Sequence, residues 1–372
     1  MARFLFYDDK IINILLKEEE ASGGAAVQAY GWIRGLMEVG QEVVVMTNMN
    51  KKGQLKDECR DVKFIPFYNF SKGLRWLRWI YYRIPYMYRN IKKAKPDYVY
   101  QGVPGWTSFV LALICYRLNI KYILRISNDY LIDERILRSY SRAHRFFQMW
   151  GMRLAHCILC QNEYQYNIIV KKFPDKMVIK ITNPVFMKND AKGFDVDARS
   201  YIAWIGIFQY QKNIKLLYNI ATMLKDERFL IAGTEINNCD EETLSYLEKL
   251  KKLPNVQFVG FLNRNQVIPF LSSAKFLLNT SHYEGFSNTF LEAMLAGTPI
   301  MTSNMVNPDF IISRNNLGIV YHDEAELLKK YCTVDSEQYK MMSDNVKEYV
   351  AHQHDYKVLS KRLIELLAVQ KV

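Results

Sequence analysis

A chain of 372 residues, 49% of them hydrophobic, is too long for one average domain and carries enough apolar residues to build the cores of two. Its formal net charge of +12 is uneven: residues 1–190 hold 30 of the 50 Lys and Arg against 17 of the 38 Asp and Glu, and residues 191–372 are close to balance. Any anionic partner that the charge serves is therefore met by the first half, and six cysteines in so long a chain exclude a disulfide framework.

The chain opens Met1-Ala2-Arg3-Phe4-Leu5-Phe6-Tyr7-Asp8-Asp9, which has neither the long apolar stretch nor the cleavage site of a signal peptide. The longest apolar run, near Phe109–Cys115, falls far short of the ~20 residues a membrane span needs. In the first half, strands are predicted at Phe4–Tyr7, Val43–Thr47, Tyr98–Gln101, Tyr122–Ile126 and Cys157–Cys160, with helical patterns at Ala25–Glu38 and Ser108–Leu118 between them. The lone Cys157-x-x-Cys160 reads as part of a buried strand and suits a reducing cytoplasm. The polar stretch from Asn183 to Ser200 marks a domain boundary. A second alternation comes after it: strand Tyr201–Ile205, helix Asn213–Leu224, strand Phe229–Ala232, helix Glu241–Lys251, strand Val256–Val259, helix Gln266–Ser272, strand Phe276–Asn279 and strand Ile300–Thr302. The remainder, Glu324–Leu367, is helical and charged. Strand–helix alternation of this kind predicts two doubly wound parallel sheets, residues 1–188 and 189–352, with ligands beyond the carboxyl ends of the strands.

The segment Ser281–Ile300 carries the strongest chemical signal. Glu284 and Glu292 bracket Gly285-Phe286-Ser287-Asn288-Thr289 at the start of a helix. Unpaired N–H groups and the positive dipole end there suit a phosphate, and the flanking carboxylates can accept from hydroxyls, which together are what a nucleotide-sugar presents. Thr289-Phe290-Leu291-Glu292 also matches a capping box, which would make Glu292 a cap on its own helix. Glu284 has no capping role by spacing, and a glutamate in such a loop is ordinarily solvated. Gly206-Ile207-Phe208-Gln209-Tyr210-Gln211-Lys212 follows the first strand of the second half and ends in a lysine at the mouth of a helix, where it can neutralise a diphosphate or stand as an ordinary exposed cation. Gly23-Gly24 precedes the first long helix, either to let backbone approach an oxygen-rich ligand or as a plain flexible turn.

These residues and their order resemble the GT-B glycosyltransferases, and among them the bacterial family 4 (group 1) enzymes, over nearly the whole chain and most closely from Tyr201 to Ser303. Glu284-x7-Glu292, Glu284-Gly285-Phe286-Ser287 and Glu292-Ala293-Met294 match that family's signature. Asn255–Phe261 looks like its strand before the base. Asp355-Tyr356 and the helix after it, about 353–372, look like its C-terminal helix that crosses back to the first domain. The resemblance implies two Rossmann-like domains facing a cleft, an acceptor-side domain 1–188 and a donor-binding domain 189–352. It implies that Glu284 meets the donor sugar's hydroxyls, that Gly285, the main-chain N–H groups of Phe286, Ser287 and Asn288, and Thr289 hold sugar and diphosphate, that Glu292 takes the ribose, and that Lys212, beside Gly206, stabilises the departing nucleotide. Gly23 and Gly24 would lie near the phosphates or the acceptor. The family's arginine is Ile207 here. Its histidine after the Tyr122–Ile126 strand is absent from Arg125-Ile126-Ser127-Asn128-Asp129, where Arg125, Asn128 or Asp129 would reach the reacting sugar instead.

Asp195-Val196-Asp197 matches the metal-binding Asp-x-Asp of a different glycosyltransferase architecture, but it lies before a strand and reads as solvated linker charge. No metal or other cofactor is expected, because helix N-termini and Lys212 can do the electrostatic work. Tyr68–Lys95 contains eight Lys and Arg, among them Arg75, Arg78 and Arg83, and no acid, interleaved with Trp76, Trp79 and several tyrosines. A second basic patch runs from Arg135 to Phe147. Such a face suits an anionic membrane surface and a lipid-diphosphate-linked acceptor, or the aromatics simply fill a core; nothing resembles a nucleic-acid fold. The expected function is a metal-independent retaining glycosyltransferase, with UDP ahead of GDP as the donor nucleotide, acting peripherally on the inner face of the cytoplasmic membrane. Two other readings stay open: a catalytically idle membrane-surface scaffold and a nucleotide-sugar epimerase.

Overall fold

A computed structural model of the chain describes residues 1–17, 23–49, 53–75, 77–186, 199–235 and 239–369. The chain divides into two units: Met1–Phe186 with Tyr356–Val372, and Met187–Asp355.

In the first unit the elements run β1 (Arg3–Tyr7), α1 (Ile12–Leu15), α2 (Gly24–Glu38), β2 (Glu42–Thr47), β3 (Lys63–Pro66), α3 (Ile84–Ala94), β4 (Tyr98–Gln101), α4 (Trp106–Leu118), β5 (Lys121–Arg125), α5 (Ile136–Ser139), α6 (Arg142–Leu154), β6 (Cys157–Cys160), α7 (Glu163–Lys172) and β7 (Met177–Lys180). The seven strands form one parallel sheet in the order β3-β2-β1-β4-β5-β6-β7. Both faces are covered, as a parallel sheet requires. Alternate residues of each strand go to opposite cores: Phe4, Phe6, Val43, Val45 and Leu159 pack under α2, and Leu5, Tyr7, Val44, Met46 and Ile158 pack under α4 and its neighbours. Cys157 and Cys160 fall in different cores and stay free thiols, burial pushing each up to about 12. The edge strands β3 and β7 escape sequence reading because they are only four residues long and carry a lysine at one end, Lys63-Phe64-Ile65-Pro66 and Met177-Val178-Ile179-Lys180.

The second unit repeats the plan with β8 (Tyr201–Phe208), α8 (Ile214–Met223), β9 (Phe229–Glu235), α9 (Glu241–Leu250), β10 (Val256–Gly260), α10 (Arg264–Ser272), β11 (Ala274–Asn279), α11 (Asn288–Leu295), β12 (Ile300–Ser303), α12 (Ile311–Arg314), β13 (Gly318–Tyr321), α13 (Glu324–Thr333) and α14 (Ser336–Gln353). Its sheet is parallel in the order β10-β9-β8-β11-β12-β13. Strand order reverses between β8 and β11, so the crevice outside their carboxyl ends is the ligand position this topology favours. Arg199 staples the far end of α11: its guanidinium donates to the carbonyls of Gly297 at 2.7 Å and Ala296 at 3.2 Å and to the Tyr339 hydroxyl at 2.8 Å. A cation at a helix C-terminus also complements the dipole.

The last helix, α15 (Tyr356–Ala368), belongs to the first unit and packs on α2. Gly31 and Gly35, one turn apart on α2, are costly in a helix interior, and their backbone surroundings explain them. A Cβ on Gly31 would stand 2.5 Å from the Pro184 carbonyl, and one on Gly35 would stand 2.2 Å from Ser360 Oγ and 2.3 Å from the Tyr356 carbonyl. Gly35→Ala is expected to force α15 off α2 and destabilise the protein by about 1–3 kcal/mol, read as a lower urea midpoint; a midpoint at or above that of the wild type contradicts the close approach.

Candidate active site

Two loops meet at the reversal point of the second sheet. The first leaves β8 through a tight turn, Tyr210–Lys212. Asn213 follows in left-handed backbone (φ 49°), which asparagine tolerates, and its side chain accepts from the Leu216 N–H at 3.1 Å to start α8. The second loop leaves β11 at Thr280 and ends at Ser287. The two are sewn together in four places. The His282 N–H donates to the Gln211 carbonyl at 2.8 Å, and Gln211 Nε2 to the Tyr283 carbonyl at 2.9 Å. Thr280 Oγ1 donates to the Lys212 carbonyl at 2.7 Å while accepting from Trp204 Nε1 at 3.0 Å. The Tyr210 ring stacks on His282 with centroids 4.8 Å apart.

This seam fixes an ion pair between Lys212 Nζ and Glu284 Oε1, whose side chains are only 16% and 11% exposed. Ser281 Oγ donates to the same carboxylate oxygen at 2.9 Å. Glu284 is thus neither solvated nor alone, contrary to the ordinary expectation for a loop glutamate. A pair held this close to dry surroundings is costly to break on one side only.

Beyond Glu284 the chain enters α11. Its cap is Ser287, which bonds Thr289 Oγ1 at 2.9 Å rather than the backbone, and no acidic residue stands in the first turn. Ser287 itself therefore gives the helix no side-chain cap, and the positive end of the helix dipole lies at this loop. With the cap at Ser287, Glu292 is the fifth helical residue and cannot reach back to close a capping box, so the capping reading is corrected. Instead its side chain, 12% exposed, meets Arg264 Nη1 at 3.5 Å. Phe286 turns its ring into the interior against His354, 5.2 Å between centroids, which leaves its main chain beside Gly285 at the loop. Gly206 is corrected too: β8 runs to Phe208, so Gly206 and Ile207 sit within the strand and only Gln209–Lys212 form the turn.

In the first unit, Gly23 caps α2 with ordinary extended backbone, and a side chain there would meet nothing within 4 Å; Gly24 is the first helical residue. Gly23 has no side chain with which to cap the helix, and the helix's own first turn contains no acid. Asn128 accepts from the Tyr130 N–H at 3.4 Å and caps a short turn after β5. Asp129 accepts from Gln165 Nε2 at 2.8 Å and Asn162 Nδ2 at 3.3 Å, and burial pushes its carboxyl up to about 6. Arg125 does not face outward as a donor ligand would need. It is fully buried, its guanidinium bonded to Asn183 Oδ1 and 5.7 Å from the Trp32 ring centre, and burial lowers its pKa. Asn183 in turn donates to Gln161 Oε1 at 2.8 Å, and Gln161 to the Ile126 carbonyl at 2.6 Å. The sequence reading missed Gln161 and Arg264; for Arg264 the signal was the Asn263-x-x-Gln266 capping box, which sets it at a helix start.

The basic aromatic stretch divides by burial. Arg83 is buried, donating to the Phe70 carbonyl at 2.8 Å and stacking on Trp79 and Tyr68. Trp79 packs edge-on against Trp106 at 4.2 Å, and Arg78 Nη1 donates to the Phe70 carbonyl at 2.8 Å. Arg83 thus serves internal packing, which corrects its assignment to an outer face, while Arg78 and Trp79 are half-buried. Trp76, like Asp195 and Asp197, lies outside the described residues. Among its exposed residues are Leu74 (69%), Leu77 (55%) and Ile80 (73%), with Phe70 and Tyr81, beside Lys72 and Arg75. Among the described residues no helix is long and apolar enough to cross a membrane.

Comparison with known proteins respects the same division. A family model described as "Glycosyl transferases group 1" matches residues 187–349, and one described as "Glycosyltransferase Family 4" matches residues 22–185. The 2-deoxystreptamine N-acetyl-D-glucosaminyltransferase of Niallia circulans is 26% identical over 174 residues, 44% of this chain and 41% of that protein. The N,N'-diacetylbacillosaminyl-diphospho-undecaprenol alpha-1,3-N-acetylgalactosaminyltransferase of Campylobacter jejuni is 24% identical over 233 residues, 62% of this chain and 55% of that protein. The matched parts thus span about half or less of these curated relatives. Among solved structures, Anabaena Alr3699/HepE in complex with UDP and glucose superposes with a TM-score of 0.73 at 13% identity, covering 99% of this chain and 100% of that one. Sucrose-phosphate synthase from Thermosynechococcus elongatus does so with 0.77 at 14%, covering 99% and 98%. At such identities the likeness is one of fold, the GT-B arrangement of two Rossmann-like domains.

The ion pair generates a thermodynamic expectation. Lys212→Met and Glu284→Gln should each destabilise by roughly 1–3 kcal/mol, and the double variant should cost less than the two combined, because each single change strands a poorly solvated partner. Urea unfolding of the four proteins measures this; strict additivity would show that the two side chains do not interact.

Proposed function

Because this chain belongs to the group 1 and family 4 glycosyltransferases, we propose that it is a retaining enzyme that moves a sugar from a nucleoside diphosphate, UDP ahead of GDP, to a growing, lipid-linked bacterial surface glycan. One observation carries the reading. The reversal point of the second sheet gathers a lysine, a glutamate held by it, a helix N-terminus and a second, mostly buried glutamate. That is one cation and one dipole for a diphosphate, and two carboxylates for sugar hydroxyls. In this reading the bond from the sugar's anomeric carbon to the diphosphate breaks, Lys212 and the start of α11 at Asn288–Thr289 meet the charge that develops, and the acceptor oxygen bonds on the same face while its proton leaves with the departing phosphate. Glu284 orients the sugar, Glu292 holds the ribose, and the chemistry uses no metal. Asn128 and Asp129, at the carboxyl end of β5, stand on the acceptor side in the place of the family's histidine. Gly23 and Gly24, at the start of α2, lie near the phosphates or the acceptor in this reading.

The Campylobacter protein's name, which specifies a sugar on diphospho-undecaprenol, supports a lipid-linked glycan acceptor, whereas the Niallia protein's name specifies 2-deoxystreptamine. A lipid-borne acceptor requires the enzyme at a bilayer. The exposed Leu74, Leu77 and Ile80 with Lys72 and Arg75 support contact with the anionic inner face of the cytoplasmic membrane, apolar side chains entering the headgroup layer and cations drawn to it. The exposed Phe146, Met149 and Trp150 of α6, joined to α4 through Phe147 and Phe109 at 5.4 Å, extend the apolar surface of this unit.

Both halves of the proposal have a direct readout. In thermal-shift screening with UDP, GDP, ADP and CMP, one nucleotide at a hundred times its Kd should stabilise the wild type by about 2.7 kcal/mol, and the shift should vanish in Glu292→Ala and Lys212→Ala; no shift with any of them moves the reading to an idle scaffold. In flotation with vesicles at low salt, the protein should bind anionic but not neutral membranes. Replacing Leu74, Leu77 and Ile80 by serine, or Lys72 and Arg75 by alanine, should reduce binding about tenfold or more; binding indifferent to both sets of changes contradicts this face.

A further inference from the structure

The first unit holds a pocket that the proposed chemistry leaves unused. It lies between α6 and the segment Leu131–Leu137 after β5, and its volume is about 300 Å³, at the lower end of the roughly 300–1,000 Å³ range of small-molecule sites. Arg145, Gln148, Met149 and Met152 line it at the i, i+3, i+4 and i+7 spacing of one helical stripe. A neighbouring face of α6 is committed to α4, where a Cβ on Gly151 would stand 2.6 Å from Ser108 Cβ. The buried Gln148 donates to the Leu131 carbonyl at 2.7 Å and so holds the segment against the helix.

The floor of the pocket is apolar and dry, Leu131 and Met152 being 2% exposed each. Its mouth is apolar too: Leu137 is 58% and Met149 46% exposed, and Phe146 and Trp150 are exposed on the same helix. An apolar mouth on an apolar surface suits a chain that enters from a bilayer rather than a polar molecule taken from water.

Two cations border the pocket. Arg145 is half-buried with its Nε shut off from water, and among the described residues its guanidinium has no hydrogen bond or ion pair. It stands just past the first turn of α6, at the positive end of the helix, so the dipole does not reward it either. A guanidinium so placed lacks an acceptor that burial makes it need. Lys172, the last residue of α7, is exposed and has no side-chain partner among the described residues. Asp133 is already taken by Arg135 at 3.0 Å and the Tyr164 hydroxyl at 3.2 Å. Glu134 borders the same pocket, yet no ion pair joins it to Arg145 among the described residues.

We infer that this pocket binds one anionic phospholipid of the membrane on which the protein works, with an acyl chain between Leu131 and Met152 and the phosphate on Arg145. The inference rests on the membrane half of the proposed function and not on the donor chemistry. The phosphate supplies the acceptor oxygens that Arg145 lacks, and the further cation of Lys172 favours a head group of net negative charge over a zwitterionic one. Leu131 and Ile132 follow Asn128 and Asp129 on the same loop, so a lipid seated here also orders the acceptor side of the unit.

The test is native mass spectrometry of the full chain with short-chain phosphatidylglycerol, phosphatidylcholine and a short polyprenyl phosphate, each below its micelle concentration. The wild type should take up one phosphatidylglycerol, about fivefold or more ahead of phosphatidylcholine. Arg145→Gln should lose that preference with no fall in melting temperature, because the side chain makes no internal bond. Met149→Trp, a change at the exposed mouth, should exclude both lipids. Equal weakening of both lipids or a lower melting temperature in Arg145→Gln, or uptake unchanged in Met149→Trp, overturns the proposal. Preferential uptake of the polyprenyl phosphate overturns it as well and gives the pocket to the acceptor. Vesicle flotation separates the two levels of failure: with flotation intact and no phospholipid bound, only this inference falls, and with neither, the membrane reading falls with it.

Discussion

The candidate site depends on one seam, the cross-bonding of the loop after β8 to the loop after β11. Strand order alone brings the two loops near each other. Keeping them in register falls to the Gln211 and His282 backbone bonds and the Thr280 hydroxyl, which is bonded on both sides. With that frame set, Lys212 and Glu284 meet in a nearly dry position and neutralise one another. In the proposed reading a diphosphate and sugar would enter a site whose cation and carboxylate are already oriented, which is the arrangement electrostatic catalysis needs. The start of α11 belongs to the same design: Ser287 bonds the Thr289 hydroxyl and does not cap the helix with its own side chain.

Most of the fold is legible in the sequence because parallel strands buried on both faces read as apolar runs. The three strands that such runs do not mark have particular reasons. Gly318-Ile319-Val320-Tyr321 is short and stands hidden among helical residues, and β3 and β7 are edge strands with a charged residue at one end. The site is legible as a list of residues and not as a set of contacts. Spacing places Glu284 and Glu292 on either side of a helix start, but nothing in the sequence pairs Glu284 with Lys212, 72 residues away, or Glu292 with Arg264. The capping-box reading of Glu292 fails because the cap is Ser287, two residues before Thr289, a shift within the ordinary uncertainty of helix ends.

The basic aromatic segment shows the same limit from the other side. Composition marks Tyr68–Lys95 as amphipathic without saying which residues face out. Trp79 and Arg83 look suited to a headgroup layer and are consumed in a stack with Tyr68 and Trp106, while the aliphatic residues Leu74, Leu77 and Ile80 are left outside. A π-helical turn, Trp79–Arg83, leads into α3 and rotates the faces away from the simple helical period on which a sequence argument relies. Arg125 is a similar case. Its position after a strand suggests a ligand contact, and the third dimension turns it inward onto Asn183.

The most direct measurement is amide hydrogen exchange of the full chain with and without saturating UDP. The account predicts slowed exchange concentrated in Gln209–Asn213, Thr280–Glu292 and Phe261–Arg264, the two sewn loops and the arginine beyond them. Slowing confined to other segments, with these three unchanged, would contradict the assignment of the reversal point between β8 and β11 as the donor site.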